Sequence, residues 1–206
     1  MKSLCVKLDI KEIFENEIVE NADDWIVDVQ DIQMEEEIGS GNSCIVYKGK
    51  WKGLKVAVKK MKLKDRSNAF KEFIREISTL VRLKPHTNTV SLIGVGQEKD
   101  EFFILTEFCG GGTLFDLLHS TKTIQLNWSQ RIKICKDIAE GMAYLHSIVP
   151  PIIHRDLKSL NLLMDQPIKR TNINDINVKI ADFGLSRLQD TTHMTEVLGT
   201  FVNIYN

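Results

Sequence analysis

Two carboxylates, an amide and a lysine fall close together in the second half of the chain. Asp156, Lys158 and Asn161 lie in one short segment, and Asp182 follows after a polar loop. Carboxylate and amide oxygens are the ligands that Mg²⁺ prefers, and a carboxylate can accept the proton of a hydroxyl nucleophile. A lysine would neutralise the charge of a phosphate during its transfer. These residue types therefore indicate phosphoryl transfer, which depends on positioning and matched charge.

The composition argues against several other classes of protein. A chain of 206 residues with a net charge of −1 has no bulk basic surface, so we expect no nucleic-acid partner. No run of about 18 apolar residues occurs, so we also expect no membrane partner. The cysteines lack the short paired spacings of zinc sites or disulfide frameworks, and they are Cys5, Cys44, Cys109 and Cys135. We expect reduced thiols and a cytoplasmic protein.

The first half of the chain predicts a small antiparallel sheet. Residues 1–33 form an extension without an assigned function, and from Met34 short β-type runs alternate with glycine. Gly39 and Gly41 make a turn whose small residues would let backbone N–H groups approach phosphates. A plain hairpin turn is the alternative.

The strand at residues 55–59 supplies a second candidate for phosphate binding. Its period of two puts Ala57 and Lys59 on one face, and Val56 and Val58 on the other. A small residue beside a cation suits an adenine ring followed by phosphates. A solvated basic strand is the alternative, because further lysines follow.

Two predicted helices frame these candidates. Residues 67–83 carry apolar side chains at helical spacing, with Ser67 as the cap. Glu76 lies on the margin of that stripe, where a carboxylate requires a cation such as Lys59; a plain surface glutamate is the alternative. Residues 127–146 form a second helix capped by Asn127. We expect its apolar stripe to be core, and that stripe consists of Trp128, Ile132, Cys135, Ala139, Met142 and Leu145.

The series of motifs resembles the catalytic domain of the eukaryotic protein kinases. The resemblance rests on the glycine turn at 39–41, the strand at 56–59, the segment 154–161 and the triplet at 182–184. Lys158 resembles the lysine of the serine/threonine kinases. The tryptophan at position 25 and the segment at 127–128 look most like the tyrosine-kinase-like branch of that group.

This resemblance implies an α+β fold with two lobes. The N-lobe would be an antiparallel five-stranded sheet with one helix, and the C-lobe would be helical and incomplete. The chain would divide into an N-terminal extension at 1–33, an N-lobe with the hinge at 34–109, and a partial C-lobe at 110–206.

The resemblance also implies an ATP-dependent protein serine/threonine kinase that acts on a protein substrate in signalling. Asp156 would accept the proton of the substrate hydroxyl, and Lys158 would neutralise the transferring phosphate. Lys59, paired with Glu76, would bind the ATP phosphates. Mg²⁺ would be held by Asn161 and Asp182. The remaining nucleotide-binding residues would be Ile38, Gly39, Gly41, Val46, Ala57, Thr106, Glu107, Cys109, Asp116 and Leu163.

Four of these residues have more specific implied roles. Thr106 would be the gatekeeper, and the backbone of Glu107 and Cys109 would form the hinge that binds adenine. Asp116 would reach the ribose. An acid that interacts with the dipole of its own helix is the alternative for Asp116.

The chain departs from the kinase pattern at both ends. Cys44 stands where the third glycine of the loop belongs, and Ser43 where an aromatic residue is common. After Thr200 the chain continues from Phe201 to Asn206 and ends without the Ala-Pro-Glu motif. This predicts a fragile protein, because apolar faces would be left exposed to solvent. A noncatalytic nucleotide-binding or scaffold module and an inactive truncated fragment are therefore alternatives.

Three threonines after the second motif are candidate phosphorylation sites. Thr191, Thr192 and Thr195 could pair with Arg155 when phosphorylated. Ordinary loop threonines are the alternative.

Overall fold

The glycine-punctuated runs form the predicted sheet in the computed structural model, which describes Ile10 and residues 22–41, 44–62, 68–119, 125–168 and 176–188. Five antiparallel strands lie in the order β1-β2-β3-β5-β4. Their bounds are β1 Ile32–Ser40, β2 Cys44–Trp51, β3 Leu54–Lys62, β4 Leu92–Glu98 and β5 Glu101–Glu107. The α+β class and the five-stranded antiparallel sheet are thus confirmed.

One face of the sheet holds a hydrophobic core. Val56 and Val58 of β3 are fully buried and pack with Phe103 and Leu105 of β5. The alternation along β3 follows the prediction, because Lys59 on the other face is only half-buried.

The segment before β1 covers this core. Val27 N–H donates to the Val95 carbonyl, and Val95 N–H donates to the Trp25 carbonyl, both at 2.8 Å. The Val27 side chain is 6% exposed and belongs to the core cluster. A Cβ atom at Gly94 would lie 2.4 Å from Val27 Cγ1, so only glycine allows the segment this close. The segment 25–31 therefore belongs to the sheet's packing.

The helices and short strands complete the described structure. The helices are α1 Asn68–Leu80, α2 Leu114–His119 and α3 Trp128–Ser147, with 3₁₀ turns at Ala22–Asp24, Val29–Asp31 and Ser159–Asn161. Two antiparallel pairs join β6 Ile152–Ile153 to β9 Arg187–Leu188, and β7 Leu162–Met164 to β8 Val178–Ile180. Within the described residues, no helix is both long and apolar enough to cross a membrane.

Helix α3 buries a different face from the predicted one. The expected capping by Asn127 is present, as a reciprocal pair with Gln130. However, Trp128 is 79% and Ile132 64% exposed, and Cys135 and Ala139 are exposed as well. The prediction was therefore wrong for these four residues and correct for Leu145. The buried stripe consists of Gln130, Ile134, Asp137, Gly141 and Leu145.

The polar members of that buried stripe have partners. Gln130 completes the cap, and Asp137 accepts hydrogen bonds from Lys133 and from the Val178 backbone. Gly141 provides space for the backbone of Asn88, whose carbonyl oxygen would lie 2.7 Å from a Cβ atom there. A hydropathy pattern cannot reveal a buried face whose polar side chains have hydrogen-bond partners elsewhere in the fold.

The described residues form two compact units. The first contains the residues up to Phe70 together with Leu92–Glu107, and hence the whole sheet. The second contains Lys71–Ser91 and the residues from Phe108 onward, and hence most of α1. The boundary proposed from the sequence, between 109 and 110, lies two residues after the point where the chain leaves the first unit.

Candidate active site

The predicted proton acceptor stands at the centre of a hydrogen-bonded cluster in the second unit. Asp156 is 7% exposed. Lys158 Nζ donates to its Oδ2 at 2.7 Å, and the Asn161 side-chain amide donates to the same oxygen at 3.0 Å. That amide also donates to the Asp156 carbonyl at 2.8 Å. The structure therefore brings together the three residues that the sequence singled out within 154–161.

Asn161 is oriented by these bonds. It ends the 3₁₀ turn Ser159–Asn161, and its backbone N–H donates to the Lys158 carbonyl at 2.9 Å. Since Nδ2 donates to two oxygens of Asp156, Oδ1 is the atom through which Asn161 would bind a cation. The Asn161 amide thus binds the proton acceptor through its nitrogen, and its oxygen is a potential metal ligand.

Backbone hydrogen bonds hold the triplet 182–184 beside the segment 154–161. Strand β7 pairs with β8, and Ala181 N–H donates to the Asn161 carbonyl at 2.9 Å. Asp182 follows directly, with a left-handed φ of +63° and an exposed side chain. Aspartate tolerates this conformation better than most residues. The hydrogen bond between Ala181 and Asn161 therefore keeps the backbone of Asp182 close to Asn161.

His154 is held in one tautomer at the start of the cluster. The Asp156 backbone N–H, which can only donate, lies 3.3 Å from Nδ1. The Ala181 carbonyl, which can only accept, lies 3.1 Å from Nε2. The proton is therefore on Nε2. Burial lowers the pKa of His154 below its ordinary value, against smaller opposing effects from Ala181, Asp182 and Asp156. A neutral imidazole thus connects the two motifs.

Glu76 is buried in α1 close to the second motif. It is 5% exposed, which argues against the surface-glutamate alternative. A Cβ atom at Gly184 would lie 3.8 Å from Glu76 Oε2 and 3.4 Å from Asp182 Oδ1. A side chain at Gly184 would therefore contact both carboxylates. Lys59 belongs to the first unit, and its pairing with Glu76 stays a prediction.

One face of the sheet carries four of the candidate nucleotide-binding residues, Val46, Ala57, Lys59 and Thr106. Val46 is opposite both Gly39 and Lys59 in the strand register, and Ala57 is opposite Thr106. Side chains at opposed positions of antiparallel strands point to the same face. This face is the one opposite Val56 and Val58. Ile38, also in β1, is exposed, as is Gly41 at the end of the turn.

The predicted hinge follows β5. Glu107 ends that strand, and Cys109 is buried at the start of the second unit. Beyond it, Gly110 N–H donates to the Asp165 carbonyl at 2.9 Å, and Thr113 bridges to Leu163 of β7. The structure thus places Leu163 against the segment that follows the hinge.

Asp116 takes part in capping α2. Its Oδ2 accepts the Thr113 hydroxyl at 2.6 Å, and its own N–H donates to Thr113 Oγ1 at 3.0 Å. These contacts are those of a side chain that stabilises the start of its own helix. They favour the alternative that the sequence left open, although the ribose contact itself stays a prediction.

Two polar residues that support the site were missed from the sequence. The buried Asn88 side chain donates to the Val178 carbonyl at 3.0 Å, and its backbone carbonyl accepts from Ile180 at 2.9 Å. Asp137 accepts from the backbone N–H of Val178 at 3.1 Å. Both residues hold β8, the strand that leads to Asp182. The only sequence signal was a polar residue in or beside an apolar pattern, which is typical of many surface positions as well.

Some predicted residues lie outside the described part of the chain. They are Ser43, Ser67, Thr191, Thr192 and Thr195. Among the described residues, no group of three or more His, Cys, Asp or Glu side chains converges as a metal site would require. A Mg²⁺ site needs no such group, because Mg²⁺ usually takes one or two carboxylates and completes its shell with waters and substrate phosphates.

Known proteins are similar to this chain over most of its length. A family model described as "Protein tyrosine and serine/threonine kinase" matches residues 32–203. The chain is 40% identical over 177 residues to a putative serine/threonine-protein kinase/receptor of Acanthamoeba polyphaga mimivirus, covering 85% of this chain and 10% of that protein. It is 38% identical over 186 residues to the probable serine/threonine-protein kinase drkA of Dictyostelium discoideum, covering 90% and 27%.

A plant protein gives a similar result. The chain is 38% identical over 177 residues to the serine/threonine-protein kinase CTR1 of Arabidopsis thaliana, covering 85% of this chain and 20% of that protein. The chain therefore spans less than a third of the length of these curated relatives.

Proposed function

We propose, given that this chain belongs to the protein tyrosine and serine/threonine kinase family, that it transfers the γ-phosphoryl group of ATP to serine and threonine hydroxyls of protein substrates. The observation that supports this most directly is the cluster in which Lys158 and Asn161 both donate to the Asp156 carboxylate. The names of the relatives agree, since those described above are named as serine/threonine-protein kinases.

In the proposed reaction, Asp156 orients the substrate hydroxyl and accepts its proton. The hydroxyl oxygen forms a bond to the γ-phosphorus while the bond from that phosphorus to the bridging oxygen breaks, so that ADP leaves with its electron pair. The ammonium group of Lys158 donates to Asp156 at 2.7 Å and would lie beside this exchange. Its ammonium group would counter the charge of the transferring phosphate.

The residues present fit the cofactors that the family uses. Asn161 would bind Mg²⁺ through Oδ1, and Asp182 would bind it through its exposed carboxylate. When bound, Mg²⁺ would neutralise charge on the ATP phosphates. The sheet face with Val46, Ala57 and Lys59 would bind the nucleotide. The adenine contacts stay predictions, with Thr106 and Glu107 in the first unit and Cys109 and Leu163 in the second.

The test is phosphoryl transfer from labelled ATP, with Mg²⁺, to a degenerate peptide library containing serine and threonine. We expect Asp156→Asn to lower kcat at least about 100-fold, because general-base catalysis typically contributes 10²–10⁴. Asp165→Asn is the matched control, since its local contacts with Gly110 and Asn177 are made by the Asp165 backbone. Wild-type transfer that survives Asp156→Asn unchanged would contradict the proposal.

A noncatalytic nucleotide-binding module is the second candidate, and Cys44 favours it. Cys44 begins β2 in place of the family's third glycine, and its carbonyl accepts the Gly41 N–H at 2.9 Å. A Cβ atom and thiol at this position narrow the space in which a loop backbone could approach phosphates. ATP-dependent thermal stabilisation without any phosphoryl transfer would support this candidate. If neither thermal stabilisation by ATP nor phosphoryl transfer is observed, the inactive truncated fragment is the remaining alternative.

The cytoplasm is the compartment that we propose for this activity. Among the described residues, Cys44, Cys109 and Cys135 are not in disulfide bonds, as is common in reducing compartments. The proposed partners are ATP and a protein substrate in signalling.

A further inference from the structure

A pair of buried hydroxyl groups joins α1 to the segment that follows Asp182. Thr79 Oγ1 and Ser186 Oγ lie 2.8 Å apart. Ser186 is fully buried and Thr79 is nearly so. The two residues are far apart in sequence, but both belong to the second unit. Because water cannot reach them, each hydroxyl must find its partners within the protein.

Counting protons shows that one hydrogen lies between the two oxygens. Thr79 Oγ1 is also 3.0 Å from the Arg75 carbonyl, and Ser186 Oγ is 2.6 Å from the Phe183 carbonyl. If each hydroxyl donated only to its own carbonyl, two oxygens without a proton between them would face each other at 2.8 Å. One hydroxyl therefore donates to the other, and the bond connects the two segments.

The residues around this bond belong to the candidate active site. Thr79 follows Glu76 by three positions, so the two side chains lie on the same side of α1. Ser186 follows Asp182 by four positions and its N–H donates to the Phe183 carbonyl at 3.0 Å. Arg75 adds a contact at 3.4 Å to the Gly184 carbonyl. A shift of α1 relative to residues 182–186 would therefore break the hydroxyl pair.

We infer that Thr79 and Ser186 are positioning residues: their buried hydrogen bond fixes α1, with Glu76, to the turn that carries Asp182. This inference rests on the proposed function, because it assigns the bond a role in phosphoryl transfer. Neither hydroxyl touches the reacting atoms. The bond sets the geometry of Glu76 and Asp182, the two carboxylates near Gly184.

The structure allows a clean double-mutant cycle. Thr79→Val keeps the shape of the side chain and lets Ser186 donate its proton to the Phe183 carbonyl. Ser186→Ala lets Thr79 donate its proton to the Arg75 carbonyl. Each variant thus removes the connection without leaving the other hydroxyl unsatisfied, and the two changes should not add in the double variant.

The first readout is independent of activity. Hydrogen–deuterium exchange is measured on the peptide covering residues 178–188 in wild type, Thr79→Val, Ser186→Ala and the double variant. We expect faster exchange in all three variants to the same extent, and restoration of slow exchange by Thr79→Ser. The matched control is Ser78→Ala, because Ser78 Oγ donates to the Ile74 carbonyl at 2.6 Å within α1 itself. Unchanged exchange in Thr79→Val would overturn the inference, whether or not the chain is a kinase.

The second readout separates positioning from general stability. In the phosphoryl-transfer assay, loss of one hydrogen bond that orients the site should lower kcat about tenfold, with KM for the peptide unchanged. Thr79→Ser should restore kcat, and Ser78→Ala should leave it as in wild type. An unchanged kcat in Thr79→Val with faster exchange would overturn the catalytic role. A wild-type chain without transfer would refute the proposed function and the catalytic role together, while the exchange result would still decide the structural coupling.

Discussion

The Asp137 carboxylate, buried in α3, accepts the backbone N–H of Val178 at 3.1 Å. Val178 begins β8, and four residues later the chain reaches Asp182. A helix side chain thus fixes the first residue of the strand that delivers a candidate metal ligand. The same carboxylate also binds Lys133, so the ion pair and the strand share one acceptor.

We expect the buried Asp137 carboxylate to contribute more to stability than the exposed ion pair on the same helix. Asp137→Ala should lower the free energy of unfolding by about 2–3 kcal/mol, because it leaves the Val178 N–H without its acceptor in a buried position. Glu140→Ala removes the exposed ion pair with Lys136, 3.6 Å apart, and should cost about 0.5 kcal/mol or less. Urea unfolding of both variants measures the difference. Equal losses would contradict the role given to Asp137.

Gly141→Ala tests the close approach of α3 to Asn88. Alanine favours a helix over glycine by about 1 kcal/mol. A Cβ atom here would, however, meet the Asn88 carbonyl oxygen at 2.7 Å and Ile180 Cδ1 at 2.8 Å. We expect the clash to dominate, with a net loss of about 1–3 kcal/mol in thermal or urea unfolding. Ala143→Gly at an exposed position nearby calibrates helix propensity alone. A stabilised Gly141→Ala variant would show that the neighbouring backbone can move aside.

The lowered pKa of His154 predicts a loss of stability in mild acid. The unfolded chain binds a proton at this residue near its ordinary pKa of 6.5, whereas the folded chain binds it only at lower pH. The free energy of unfolding is therefore unaffected by the protonation of His154 above pH 6.5, and it declines as the pH falls from 6.5 toward the folded pKa. One group contributes at most about 1.4 kcal/mol per pH unit.

The prediction for His154 is tested by measuring how the free energy of unfolding changes with pH in wild type and in two variants. Between pH 7 and 5.5, His154→Gln should show a smaller decline in the free energy of unfolding than wild type. His146→Gln, at an exposed position near the end of α3, should keep the wild-type slope. If both variants retain the full decline, other groups cause it.

A second cycle tests the packing of the segment before β1. Gly94→Ala should destabilise the fold by about 1–3 kcal/mol, since the new Cβ atom would overlap the Val27 side chain. Val27→Ala should cost about 2 kcal/mol through lost burial. In the double variant the shortened side chain makes room for the new methyl group, so the combined loss should be smaller than the sum. Additive losses would mean that the two positions do not touch.

Local patterns predicted the elements and the central cluster. The alternation at Val56 and Val58 requires only a period of two, and it holds in the structure. Asp156 and Asn161 are close in sequence, so a tight turn is enough to bring them together. Glu76 was placed on the margin of a stripe that follows directly from helical geometry.

Contacts between distant segments could not be predicted in this way. Thr79 and Ser186 are ordinary polar residues in their own segments, and only the tertiary fold makes both of them buried. The face of α3 was misjudged for the same reason, because hydropathy favours Trp128 and Ile132 over Asp137 and Gly141. Partners from β8 and from Asn88 decide that face, and neither is visible in the helix sequence.

The packing of Val27 against the sheet has a practical consequence for choosing where an expressed fragment should start. The family match begins at residue 32, and a gene designed to that boundary would omit Trp25 and Val27. The valines of β3 would then meet solvent on the side that Val27 covers, and the free edge of β4 would offer its backbone to other chains. Such a fragment should aggregate more readily than one that starts before Ala22, even though every family motif is present.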